Sequence, residues 1–187
     1  MIVVANKKRK IEKIKEENPE AYILDVTSSS EQHEGKILSP FYPHGRIPIP
    51  GESKTVTATC VEAIWQGLKV FENEGIDLAM FRNDTMKNIK RTVRKFGKPL
   101  GHQYGVFSKT LLNYEDAKRL IYIPTYKYVL ENVPSVKRSL EKIRTILETR
   151  DVVLLDYNLN PDNADKSKPL SHAELIKMYL EGRYPEE

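Results

Sequence analysis

Glu62, Gln66 and Lys69 stand at i, i+4 and i+7 of the stretch Thr59–Phe71, TCVEAIWQGLKVF, which is otherwise apolar or small once its first residues are passed. On a helix, at about 100° per residue, the three side chains share a stripe about 60° wide. Val61, Ala63, Ile64, Trp65, Gly67, Leu68 and Val70 fill the rest of the surface. A helix apolar nearly all round belongs in an interior. The spacing therefore lines up a carboxylate, an amide and an amine inside the protein or on the floor of a cleft, where charges are costly unless paired. Two readings are open. In the first, Glu62 only closes a capping box with Thr59 and Lys69 reaches solvent from an amphipathic helix. In the second, Glu62 is an acid–base group or ligand anchor, Gln66 orients a partner by hydrogen bonding, and Lys69 is a cation or an amine nucleophile.

These side chains need a frame. Thr55–Thr59 alternates as a short strand and leads into the helix, which the pattern carries to about Glu72. Upstream, Leu38–Gly51 holds four prolines, which exclude a helix. Its aromatics Phe41 and Tyr42 either cap a core or form a wall that stacks on a ligand ring. Ala21–Val26 reads as a strand, followed by a turn at Thr27–Ser30. Met86, Ile89, Val93 and Phe96 share one face of a helix predicted over Asn83–Phe96. Asn113 caps a helix to Leu130 with Pro124 as an internal break, and Ser135 caps another to Thr149. Val152–Leu155 reads as a buried strand, 158–168 as a loop, and Ser171 with Glu174 as the capping box of a last helix to about Glu181. Helices dominate and no βαβ alternation is visible, so the expected class is α+β. Residues 1–20 form a basic N-terminal helix or tail, and 21–187 one helix-rich domain with a few short strands.

The chain has 187 residues, enough for one domain with a substantial core. At 40% hydrophobic and 30% charged residues it is globular rather than disordered. No run approaches the ~18 apolar residues of a membrane span, so no membrane partner is expected. Met1–Asn6 places its apolar stretch before the basic Lys7–Lys10 run, the reverse of a secretory signal. Cys60 is the single cysteine, so no intrachain disulfide forms and a cytoplasmic location is expected. The net charge of +4 permits a polyanionic partner without requiring one.

Leu38-Ser39-Pro40-Phe41-Tyr42-Pro43 followed by Glu62-x-x-x-Gln66-x-x-Lys69 resembles the NADAR (YbiA-like) superfamily, whose members carry an S-N-F-Y-P-like segment and then E-H-x-x-Q-A-x-K on a helix. More distantly, Leu154-Leu155-Asp156 resembles the family's late strand, and Pro169–Gly182 its closing helix. The sequence departs from the family at Ala63, where the family has His, and at Asn160–Asp165, where it has a Trp-Gly-rich stretch; this makes the chain a divergent member. The resemblance implies a compact, helix-rich α+β fold and an N-glycosidase that acts on a ribosyl-phosphate ligand, removing ADP-ribose from a guanine base or cleaving a related nucleotide metabolite. It implies Lys69 as the amine that captures the sugar, Glu62 as proton shuttle and Asp156 as a second carboxylate. Phe41, Tyr42, Trp65, Gln66, Arg91 and Asn158 are the expected ligand-binding residues. The alternatives are an ADP-ribose-binding module without turnover and a basic nucleic-acid-binding accessory protein. No cofactor and no oligomeric state is implied.

Other features narrow the field. Asp156–Asn160 begins like a calcium-binding loop, but Pro161 stands where glycine is needed and Ser167 where glutamate is needed. His33, His44, His102 and His172 have no partner at metal-ligand spacing, so no metal is expected. Arg82–Lys98 holds seven basic residues against Asp84 alone. On the predicted helix, Lys87, Arg91, Arg94, Lys95 and Lys98 share a face fit for phosphate, including that of an ADP-ribosylated nucleic acid.

Overall fold

The first residues of the chain, read in the sequence as part of a basic helix or tail, open with a strand, β1 (Ile2–Asn6), before the helix α1 (Ile11–Glu17). β2 (Tyr22–Asp25) and a single turn of helix, α2 (His33–Lys36), follow. The computed structural model describes residues 1–165 and 168–185. Ser167, the twelfth position of the calcium-like loop, lies outside the described residues, as does Lys166. The described residues form two compact units, one built from 1–39, 130–165 and 168–185, the other from Pro40–Val129. Both mix helix and strand, and the class is α+β.

The second unit holds two antiparallel sheets. β3 (Ile47–Pro48) pairs with β4 (Thr57–Ala58). After α3 (Val61–Gly67), β5 (Lys69–Phe71) pairs with β6 (Pro99–Gln103), which pairs in turn with β7 (Leu111–Leu112). The helix predicted over Asn83–Phe96 is corrected to one short turn, α4 (Val93–Phe96). Asn83 does not cap a helix. Its side chain accepts from Thr85 N and donates to Lys87 O, closing a local turn, and Met86 and Asn88 sit at positive φ. The five basic residues therefore do not share one helix face. Asn113 does cap: its side chain accepts from Asp116 N at the start of α5 (Tyr114–Ala117). A π-helical turn, Lys118–Tyr122, leads into α6 (Ile123–Asn132). Pro124 thus marks a change of helical register instead of a break, since it brings no N–H to the ladder.

The first unit resumes with α7 (Pro134–Leu147), β8 (Val152–Asp156) and α8 (His172–Leu180). Pro134 at the first turn, not Ser135, begins α7. β8 is the middle strand of a parallel sheet of order β1-β8-β2, and all five of its residues are buried. That burial explains its unbroken apolar text. α1 covers one face: Ile14 packs on Ala5, Val153 and Leu155. The parallel pairing is not foreseen from the sequence, because β8 lies far along the chain from the two strands it joins. No described helix is long and apolar enough to cross a membrane.

Candidate active site

α3 begins at Val61 because Cys60, not Thr59, caps it. The Cys60 sulfur accepts from Ala63 N at 3.3 Å, while the Thr59 hydroxyl donates to Asn83 O. The buried thiol is pushed up to about 11, chiefly by loss of water, so Cys60 is an inert cap rather than a nucleophile. Glu62 N donates to Pro40 O at 2.9 Å, which ties the start of α3 to the proline-rich loop. Phe41, on that loop, packs against Cys60, Ala63, Met80 and Ile89. Tyr42 is half-buried, its ring 4.9 Å from that of His44.

The helix does not run to Glu72 as predicted. It stops at Gly67, since its last carbonyls find partners outside it. Asp77 N donates to Gly67 O and Gln103 N to Leu68 O, both at 2.8 Å, and Arg91 Nη1 reaches Gln66 O at 3.2 Å. The Val70-Phe71 pair, β-prone by type, then joins a sheet. Gly67 is required there: a Cβ would lie 2.4 Å from the Phe81 ring. The polar seam is thereby split. Glu62 and Gln66 stay on the helix, and Lys69 opens β5.

Glu62 and Gln66 are both buried, at 8% and 7% exposure, and Gln66 Nε2 donates to Glu62 Oε1 at 2.8 Å. Gln66 Oε1 accepts from Arg91 N at 3.1 Å. Arg91 is expected from the sequence to bind ligand. Instead its guanidinium donates to the carbonyls of Gln66, Lys69 and Gly75 and lies 4.9 Å from the centroids of both the Phe71 and Phe96 rings. It is a buried clamp across the end of α3, and its charge is spent on backbone carbonyls.

Lys69 is half-buried, with its amine 5.2 Å from the Phe71 ring centroid. Among the described residues the amine has no hydrogen bond or ion pair. Burial lowers its affinity for a proton; Glu62 opposes that shift and Arg91 adds to it. Across the antiparallel ladder Lys69 faces His102, which the sequence offers only as a metal-ligand candidate. His102 is 2% exposed, and neither of its ring nitrogens has a partner among the described residues. Burial, reinforced by Lys69, pushes its pKa down to about 3, so the ring is neutral at pH 7. Trp65 lies against it, with ring centroids 3.8 Å apart and planes tilted by 31°, and meets Tyr114 and Tyr122 edge-on. The alternation of β6 could have placed His102 inward, but only the ladder register sets it opposite Lys69.

The same unit has an open cleft of about 270 Å³, lined by residues that include Pro48, Glu52, Tyr104, Pro124, Thr125 and Tyr128. None of Glu62, Gln66 or Lys69 lines it.

Asp156 and Asn158 belong to the other unit. Asp156 Oδ2 accepts from the Ser171 hydroxyl at 2.8 Å and lies 3.1 Å from His172 Nδ1. Burial works against the carboxylate, but His172, Ser171 and Ala173 N–H outweigh it and bring its pKa down to about 2. The expected second catalytic carboxylate is thus the anchor of the α8 N-terminus. Ser171 caps that helix by accepting from Glu174 N, as its capping-box spacing predicts. Asn158 is exposed, just past β8. Among the described residues no three His, Cys, Asp or Glu side chains converge as a metal site.

Compared with known protein families, residues 6–176 match DUF6939, described as a family of unknown function. The chain belongs to that family. No curated protein matches it. The DUF6939 match takes in both units, and the residues discussed above, from Phe41 to His172, fall within it.

Proposed function

We propose that this chain is an N-glycosidase that hydrolyses the bond between a base and the ribose of a ribosyl-phosphate ligand, with ADP-ribose on a guanine base as the leading substrate. One observation carries the reading: a half-buried lysine amine without a bonding partner among the described residues, within the electrostatic reach of a buried carboxylate. The resemblance of Phe41-Tyr42-Pro43 and Glu62-x-x-x-Gln66-x-x-Lys69 to the NADAR pattern supports it.

In this reading the Lys69 lone pair bonds the anomeric carbon as the bond to the base breaks. The base leaves with the electron pair of the broken bond and takes a proton from the Glu62 carboxyl group, which has received it from the Lys69 ammonium. Lys69 then gives a proton to the Glu62 carboxylate, and the glycosylamine opens to an imine. Water hydrolyses the imine to sugar and free amine. Gln66 holds Glu62 in place throughout. Incubation with ADP-ribosylated guanosine or DNA, followed by chromatography of released ADP-ribose, tests the reading. Release is expected from the native chain and not from Lys69→Ala; release that survives Lys69→Ala removes Lys69 from the mechanism.

A second reading, a module that holds ADP-ribose without turnover, is favoured by the engagement of Asp156 with His172 and Ser171. Binding of ADP-ribose without release of base from any conjugate would select it.

A further inference from the structure

We infer that His102 is a ligand-binding residue of this site, its imidazole supplying a hydrogen bond that a sugar hydroxyl of the ligand completes. The inference rests on the ribosyl reading above and adds to it a residue that neither the sequence pattern nor the family match assigns.

Two buried ring nitrogens without partners are expensive, and a phenyl or isobutyl group could occupy the same contact with Trp65 without that penalty. Buried polar groups left unsatisfied in a protein alone call for a partner from outside it. The ladder also sets His102 against Lys69, the nucleophile of the proposed reaction. A neutral imidazole offers one donor and one acceptor, and a hydroxyl is the small group that can meet either. A phosphate would satisfy only the N–H, and an ammonium only the lone pair. Trp65 covers the ring, so a ligand that reaches His102 must shift the indole. Trp65 is the single tryptophan of the chain, and its emission therefore reports on the surroundings of the His102 ring.

The test uses the full chain with His102→Phe, His102→Leu and His102→Gln. Each is titrated with ADP-ribose and with ribose 5-phosphate while Trp65 emission is followed, and each is melted without ligand. The two apolar variants are expected to melt about 2–6 °C higher than the native chain, having lost the orphaned nitrogens, and to bind about tenfold more weakly. His102→Gln, which keeps a donor and an acceptor, is expected to recover part of the affinity. If His102→Phe is too large to fold, His102→Leu decides. Native affinity in the apolar variants overturns the inference. So does weak binding accompanied by a lower melting temperature in both, which marks lost packing. A native chain that binds neither probe overturns the sugar assignment. The glycosidase reading fails separately, when the native chain binds ADP-ribose through His102 and yet releases no base from a conjugate.

Discussion

Gln66 holds Glu62 from one turn further along α3, its amide nitrogen 2.8 Å from the carboxylate, and its amide oxygen accepts the backbone N–H of Arg91. One side chain thus satisfies two buried groups that come from distant parts of the chain. Gln66→Leu leaves both without that partner and is expected to destabilise the protein by about 2–4 kcal/mol, measured by urea unfolding. Gln66→Glu is expected to be at least as harmful, since it sets a second carboxylate against Glu62. A loss below about 0.5 kcal/mol for Gln66→Leu would show that water replaces the amide.

Asp156 ties acid stability to the first unit. Its pKa is lowered from 3.8 to about 2, so the folded state binds the proton less readily than the unfolded chain does. The contribution is fully present above the ordinary value and is lost as pH falls through 3.8 toward 2. It amounts to about 2 kcal/mol. Asp156→Asn is expected to flatten this part of the curve of unfolding free energy against pH between about 5 and 2. An unchanged slope in the variant would mean that His172 does not hold the carboxylate.

Lys69 is expected to be acylated faster at pH 8 than an exposed lysine such as Lys54, because burial favours its unprotonated form. Peptide mass spectrometry after brief treatment with an acylating reagent measures this. Lys69→Met should fold normally, as the amine makes no hydrogen bond or ion pair among the described residues. Slower labelling of Lys69 than of Lys54 would contradict the assignment of a nucleophile.

Gly67 sits where a methyl group would meet Phe81 at 2.4 Å. Gly67→Ala is expected to cost about 1–3 kcal/mol from overpacking, despite alanine's better helix propensity. Adding Phe81→Leu should recover part of that loss, which thermal denaturation of the single and double variants can measure. Additive losses would place the strain elsewhere.

Local sequence marked much of the outline. The run Val152–Leu155 is a buried strand because four apolar residues in a row leave no face for water. Asn113 and Ser171 cap the helices that their side chains announce. The Phe41 loop and the Glu62–Gln66 pair were legible too, since prolines and an apolar surround restrict what such residues can do. The α3 end was not legible. The continued apolar pattern through Lys69–Phe71 suits a helix or a strand, and the donors that end the helix, Asp77, Arg91 and Gln103, come from other segments. The basic helix failed for a similar reason: Asn83 found a local turn and Arg91 a set of carbonyls, neither of which periodicity records.

Residue types and spacing alone therefore singled out Glu62, Gln66 and Lys69 as candidates and showed that the strand ending at Asp156 is buried. Only the tertiary structure decided what those side chains do, because hydrogen-bond partners are chosen by long-range register. It turned Asp156 and Arg91 into internal anchors, moved Lys69 from helix to strand, and set His102 opposite it.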